Sequence, residues 1–181
     1  IAEMIPDGAT LQIGVGGIPN AVLGALKDHK HLGLHTEALT DGVLPLLERG
    51  VIDNSCKKVM PGISVASLAL GSKRLYEYMD YRKDLVLKDV AWTNDPFRIA
   101  QNPKVMAINS AVEVDLTGQV CADSVGTRII SGVGGQHDIE IHPAEGETVG
   151  GHAVVEVLGI VSDGGDAVLG EKCADGVGGL G

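Results

Sequence analysis

The chain reads as an α/β protein built on an open, mostly parallel sheet with flanking helices and an antiparallel hairpin. Three observations predict this. Short apolar runs alternate with stretches of helical spacing, glycine clusters follow two of the apolar runs, and a late segment breaks the alternation with two extended runs around a glycine-containing turn.

The elements follow in chain order. "TLQIGV" (10–15) reads as a buried strand, and the glycines after it lead into a helix from about Pro19, with Ala21, Val22, Ala25 and Leu26 at helical spacing. "LGLHT" is a second strand, and "DGVLPLLERG" a short helix that Pro45 limits and Gly50 closes. "ISVASLAL" (63–70) is a third strand, followed by the helical "SKRLYEYMD" with Ser72 at its N-cap. "DLVLKDV" supplies a fourth strand and "NDPFRIAQN" a loop entering a helical turn. In "VMAINSAVEVDLTGQVCADSV" two extended runs meet at Asp115 to Gly118, the spacing of a hairpin.

Charge divides the 181 residues unevenly. The net charge is −10, and from Asp138 onward nine acids face a single base, Lys172, so the tail carries −8 of it. That tail also holds eleven glycines in 44 residues and no Phe, Tyr or Trp, the last being Phe97. The composition change divides the chain into residues 1–137, a packed domain, and residues 138–181, a glycine-rich acidic tail whose fold the sequence leaves open, apart from a plausible extended run in "AVVEVLGIV".

Composition also excludes classes of function. Clustered Lys and Arg for phosphate neutralisation are missing, which argues against nucleic acid. No apolar run approaches the roughly 18 residues of a membrane span, so a soluble, cytoplasmic protein is expected. A start at Ile1 without Met reads as the result of a cut upstream. Cys56, Cys121 and Cys173 are far apart with no CxxC spacing, and His137, His142 and His152 are loosely spaced, so no metal is expected.

The chemistry-bearing positions cluster at predicted strand ends. Gly14-Val15-Gly16-Gly17-Ile18-Pro19 follows a strand and precedes a helix, where backbone amides can approach an anionic ligand or where glycine serves tight packing alone. The cluster does not complete GxGxxG, because Pro19 holds the sixth position, so a nicotinamide cofactor is not expected. Ser131-Gly132-Val133-Gly134-Gly135 follows the apolar "TRII" in the same way. In an open sheet both loops would reach the carboxyl edge, where ligands of α/β folds bind and where amides can hold an oxyanion. Glu37 sits at another strand end on the same predicted edge, placed to attack an activated carbonyl. His35 is read as facing away from Glu37 and is not paired with it as a base. Among the scattered bases, Arg98 beside "NDP" is the one weighed as a phosphate partner.

"GATLQIGVGGIPNAVLGAL", "GLHTEALTDGVLPLLERGVI", "NDP" and "INSAVEVDLTGQVCADSVGTRIISGVGGQHD" together resemble the C-terminal domain of the acetyl-CoA hydrolase/transferase family over roughly residues 1 to 138, most nearly its butyrate and 4-hydroxybutyrate CoA-transferases. The resemblance implies a CoA-transferase-like fold and a transfer of CoA between acyl-CoA and small carboxylic acids, with Glu37 as nucleophile through a glutamyl-CoA thioester. It implies that Gly14, Gly16, Gly17, Gly132, Gly134 and Gly135 line the acyl pocket and hold the oxyanion, and that Asn94 lies near the CoA thiol. Coenzyme A would be a substrate and no cofactor would be needed. An N-terminal domain or homologous subunit beyond this chain, and a homo-oligomer, are further expectations. Two alternatives stay open: an acyl-CoA hydrolase with the same nucleophile, and a non-catalytic CoA-binding or subunit-interaction module.

Overall fold

A computed structural model describes residues 1–111, 113–114, 120–125, 127–129, 132, 155–161 and 167–173. Its centre is a five-stranded sheet. The strands lying in or beside it are β1 (Thr10–Ile13), β2 (Gly33–Leu34), β3 (Ala38–Thr40), β4 (Ser64–Ala66), β5 (Leu68–Leu70), β6 (Leu85–Leu87) and β7 (Val105–Ala111). Then come the short β8 (Glu113–Val114), β9 (Val120–Cys121), β10 (Ser124–Val125) and β11 (Arg128–Ile129), and the longer β12 (Val155–Val161) and β13 (Ala167–Cys173). The central sheet runs β13-β12-β7-β1-β2; every pair is parallel except β12 with β13. The isolated parallel bridge His35↔Val65 carries the edge at β2 across to β4, which pairs in parallel with β6, while β3 pairs in parallel with β5. An open, mostly parallel α/β sheet is therefore the observed class.

Among the described residues five helices flank it: α1 (Gly17–Ala25), α2 (Leu44–Glu48), α3 (Lys73–Met79), α4 (Val90–Thr93) and α5 (Pro96–Ile99). In parallel strands, paired residues point to the same face. Leu11 and Ile13, paired with Met106 and Ile108, bury into the larger apolar cluster with Val22, Leu23 and Leu26 at the end of α1. Val105 and Ala107 of the opposite face pack with Ile99 of α5. Continuous burial along β1 follows from being covered on both faces, Leu11 and Ile13 as core residues and Thr10 and Gln12 as buried polar ones.

Most expected elements appear close to their read positions. The hairpin is present as antiparallel β8 and β9, Glu113 opposite Cys121, and the extended run in the tail is β12. β12 adds to the sheet edge of β7, Val155 opposite Met106 through Ile160 opposite Ala111. Three readings are corrected. "ISVASLAL" is two strands broken at Ser67, because the amides of Ser67 and Leu68 both turn to the Glu37 carbonyl, at 2.8 and 3.0 Å. Glu37 does not hand over directly to a helix: β3 intervenes, and a 3₁₀ turn, Asp41–Val43, precedes α2. Ser72 occupies the N-cap position of α3 without capping it, since its hydroxyl donates to Asp41 Oδ1 at 2.8 Å instead.

Candidate active site at the carboxyl edge of the sheet

Several residues of "HTEALTDG" have distinct local tasks. The Thr36 hydroxyl donates to the Ile13 carbonyl at 2.9 Å and accepts from the Ile13 amide at 3.1 Å, fastening the end of β1 to the residue before Glu37. Glu37 itself is half-buried at the break between β2 and β3. Asp41 accepts the Ser72 amide and hydroxyl, both at 2.8 Å, and so ties the segment after β3 to the start of α3. Gly42 lies so close to α1 that a Cβ there would stand 2.5 Å from Asn20 Oδ1. The spacing of the motif thus fixes the backbone on both sides of the acid.

The side chain of Glu37 meets a residue from a distant part of the chain. Asn94 Nδ2 donates to Glu37 Oε2 at 2.7 Å, a charge-assisted hydrogen bond that holds one carboxylate oxygen and leaves Oε1 for other chemistry. "TNDP" explains how Asn94 is placed. Asn94 is the C-cap of α4, Asp95 is the N-cap of α5 with Oδ1 accepting the Phe97 amide at 3.0 Å, and Pro96 opens α5, where a missing N–H costs nothing. An open cleft lined by Val90, Ala91, Asn94, Asp95 and Pro96 lies along this junction.

His35 reaches the same layer. Its Nε2 lies 2.8 Å from the Thr93 carbonyl, and its ring stacks on Trp92 with centroids 5.9 Å apart and planes 9° from parallel. The expectation that it faces away from Glu37 is corrected, because positions two apart in an extended segment share a face and both side chains meet α4 and its C-cap. The ring is 3% exposed, and burial depresses its basicity, opposed by the Thr93 hydrogen bond and assisted by the charges of Lys57 and Arg98.

The first glycine cluster lies beside Glu37 through the Ile13–Thr36 link, and its glycines differ in purpose. Gly14 extends β1 with its amide donating to Ile108 O at 2.8 Å, and a Cβ there would stand 2.7 Å from Asn109 Oδ1. Beneath it, Gln12 and Asn109 exchange hydrogen bonds of 3.3 and 2.9 Å across β1 and β7. Gly16 has φ +143°, which side-chain-bearing residues rarely adopt, and precedes α1, at whose start Gly17 has open space around it. The first amides of α1 have no partner within the helix and sit at its positive end. The expectation that the second cluster ends a strand of the same open sheet is corrected: Arg128 and Ile129 before it form β11, which pairs antiparallel with β10 in a separate two-stranded sheet. Gly132 is exposed with open space where a Cβ would be, and Gly134 and Gly135 lie outside the described residues.

Two further charges have settled partners. Arg98 lies 3.0 Å from Asp95 and 4.7 Å over the Trp92 ring, so its guanidinium serves the α4–α5 junction. Sequence reading did not single out Lys57. It is 3% exposed, donates to the carbonyls of Leu34 at 2.9 Å and Ile63 at 2.6 Å, and burial pulls its ammonium down to about 8. Its one sequence signal was a lysine in "NSCKKV", where nothing distinguishes it from its exposed neighbour Lys58.

Among the described residues no cluster of His, Cys, Asp and Glu is placed to hold a metal ion, and no helix is long and apolar enough to cross a membrane. His137, His142 and His152 lie outside the described residues.

Residues 71–165 match the model of the acetyl-CoA hydrolase/transferase C-terminal domain. The chain is 52% identical over 139 residues to a succinyl-CoA:acetate/propanoyl-CoA:succinate CoA transferase of Fasciola hepatica, which covers 76% of this chain and 29% of that protein. It is 47% identical over 137 residues to a 4-hydroxybutyrate coenzyme A transferase of Clostridium kluyveri, 76% of this chain and 32% of the relative. An acetyl-CoA hydrolase of Candida glabrata is more distant, 33% identical over 132 residues, 71% of this chain and 24% of the relative. Among solved structures, RipA from Yersinia pestis superposes with a TM-score of 0.66 at 43% identity, over 67% of this chain and 28% of that one. The chain therefore spans about a third or less of the length of these proteins.

Proposed function

Because the chain belongs to the acetyl-CoA hydrolase/transferase family, we propose that it carries the nucleophile-bearing part of an acyl-CoA:carboxylate CoA-transferase, with Glu37 as the nucleophile. The 2.7 Å hydrogen bond from Asn94 to Glu37 Oε2, at the carboxyl edge of the sheet, is the observation that carries this reading. It joins the two polar residues that the family resemblance singles out and holds the carboxylate in a fixed orientation.

The chemistry proceeds through a covalent carrier. Oε1 of Glu37 attacks the thioester carbonyl and, as the C–S bond breaks, forms an acyl-glutamyl anhydride and free CoA thiolate. The thiolate then attacks the glutamyl carbonyl, giving a glutamyl-CoA thioester and releasing the acyl group as its carboxylate. An incoming carboxylate reverses the two steps. Negative charge builds on the carbonyl oxygen at each attack, and the amides at the start of α1 with Gly14, Gly16 and Gly17 are the proposed donors, joined by those of the Gly132, Gly134 and Gly135 loop. Acyl-CoA and small carboxylic acids are the proposed substrates, coenzyme A needs no further cofactor in this scheme, and a homo-oligomer and an additional domain are proposed for the assembled enzyme. A cytoplasmic location is proposed on composition alone.

Incubation with acyl-CoA followed by borohydride reduction and peptide mass spectrometry tests this: reduced glutamate is expected at Glu37, and modification at any other residue would refute the assignment. A hydrolase shares the nucleophile and is the second reading, on the strength of the hydrolase relative. It predicts thioester loss without any acceptor acid, whereas the transferase incorporates labelled acetate into acetyl-CoA. A non-catalytic CoA-binding or subunit-interaction module predicts neither.

A further inference from the structure

Asn94 ends a helix of only four residues, and so short a helix has no stability of its own. Its position against Glu37 must be imposed by the surroundings. At the start of α4, Asp89 Oδ1 accepts the Ala91 amide at 2.9 Å. At the other end the last carbonyls of a helix have no partner within it. One of these, Thr93 O, belongs to the residue before Asn94 and faces the imidazole of His35.

The connectivity closes on itself. His35 Nε2 bonds Thr93 O, Thr93 is covalently joined to Asn94, Asn94 Nδ2 bonds Glu37 Oε2, and the backbone returns through Thr36 to His35. Two hydrogen bonds of 2.8 and 2.7 Å thus complete a ring of five residues, and the Thr36 hydroxyl pins the returning side to Ile13. The strand segment that presents the carboxylate also carries the group that grips the helix presenting the amide.

The imidazole is itself held. A carbonyl only accepts, so Nε2 bears the hydrogen and Nδ1 is the acceptor. Nδ1 faces Asn102 Nδ2 at 3.5 Å, and the Asn102 amide cannot turn over without losing the 3.0 Å bond that its Oδ1 accepts from the Val59 amide. Trp92 stacks against the ring.

We infer that His35 is a positioning residue: by hydrogen bonding Thr93 O and stacking on Trp92, it sets the last turn of α4 so that the Asn94 amide meets the Glu37 carboxylate. The inference takes its catalytic meaning from the function proposed above, but its geometry stands independently of it. It is tested first without turnover, by NMR on the full chain. The side-chain amide of Asn94 is expected to shift as the pH is lowered, and Glu37→Ala, which removes the acceptor, marks the uncoupled position. In His35→Gln, whose Nε2 can replace the imidazole donor, the coupling is retained. In His35→Asn, whose amide is too short to reach Thr93 O, it is lost, and Trp92→Leu, which leaves the donor but removes the stack, reduces it.

In the acyl-transfer assay His35→Asn lowers kcat about tenfold with KM unchanged, His35→Gln recovers most of the loss, and neither lowers kcat further in an Asn94→Ala background. Full Asn94–Glu37 coupling in His35→Asn overturns the inference, as does equal loss in His35→Asn and His35→Gln. Should His35→Asn not fold, unchanged coupling in Trp92→Leu overturns it as well. A chain that shows the coupling pattern but forms no acyl-enzyme would sink the proposed function and leave the positioning role intact.

Discussion

Glu37 and Asn94 stand 57 positions apart in the chain and meet at 2.7 Å. Their proposed roles predict different kinetic losses. Glu37→Gln keeps the shape and the hydrogen bond but removes the proposed nucleophile, so the proposed exchange of labelled acetate into acetyl-CoA should fall by at least about 10³-fold. Asn94→Ala leaves a nucleophile that is less well held, and a fall of about 10- to 100-fold in the acylation rate is expected, with the reduced-glutamate peptide still at Glu37. Lys57 makes a prediction about stability. In the folded chain it releases its proton near pH 8, against 10.5 when exposed, so between these values the unfolded chain binds more protons and stability rises with pH. Relative to Lys57→Met, the wild type should gain up to about 3 kcal/mol over that window, read from denaturant unfolding at pH 7.5 and 10. Equal pH slopes in the two proteins would show that Lys57 is not desolvated. Glu37 and Asn94 were both legible in the sequence through their motifs. Lys57 was not, because burial of a lysine leaves no mark on its neighbours in the chain.

At the scale of elements, the site is made where short strands and short helices end. β2 and β3 are separated at Glu37, β4 and β5 at Ser67, and α4 and α5 at the junction of Asn94 and Asp95. None of these pieces is long enough to be stable alone, and each break places a polar group at the sheet edge. Gly14 shows how tightly the elements approach. Gly14→Ala would set a methyl 2.7 Å from Asn109 Oδ1 and 3.3 Å from the Ile108 carbonyl, displacing the Gln12–Asn109 pair between β1 and β7. A loss of about 1–3 kcal/mol in urea unfolding is expected, whereas Gly17→Ala, with open space, should be far milder. The alternation of apolar and helical runs was enough to find most of these elements. The break at Ser67 escaped because a serine also stands inside β4, at Ser64, so residue type does not mark the point where the amides of Ser67 and Leu68 turn to the Glu37 carbonyl. The reading of His35 as facing away from Glu37 fails for a simpler reason: positions two apart in an extended chain share a face.

At the scale of the whole molecule, the acidic tail contributes β12 to the edge of β7, with β13 beyond it. Ending the chain after residue 137 would leave the backbone groups on one side of β7, from Met106 to Ala111, without their strand partner. Size-exclusion chromatography should then show self-association, and hydrogen exchange should show faster exchange along β7. A monomeric, equally protected fragment would remove β12 from the structural account. The sequence by itself determined the α/β class and the alternation of apolar and helical runs, because periodicity and glycine placement are properties of neighbouring residues, and the resemblance of its motifs pointed to the family. Only the tertiary structure decided that Asn94 holds Glu37, that His35 grips the helix below Asn94, that Lys57 is buried and that β12 borders β7. Those facts depend on which distant segments lie side by side, and pairing across long separations follows from packing the whole sheet at once.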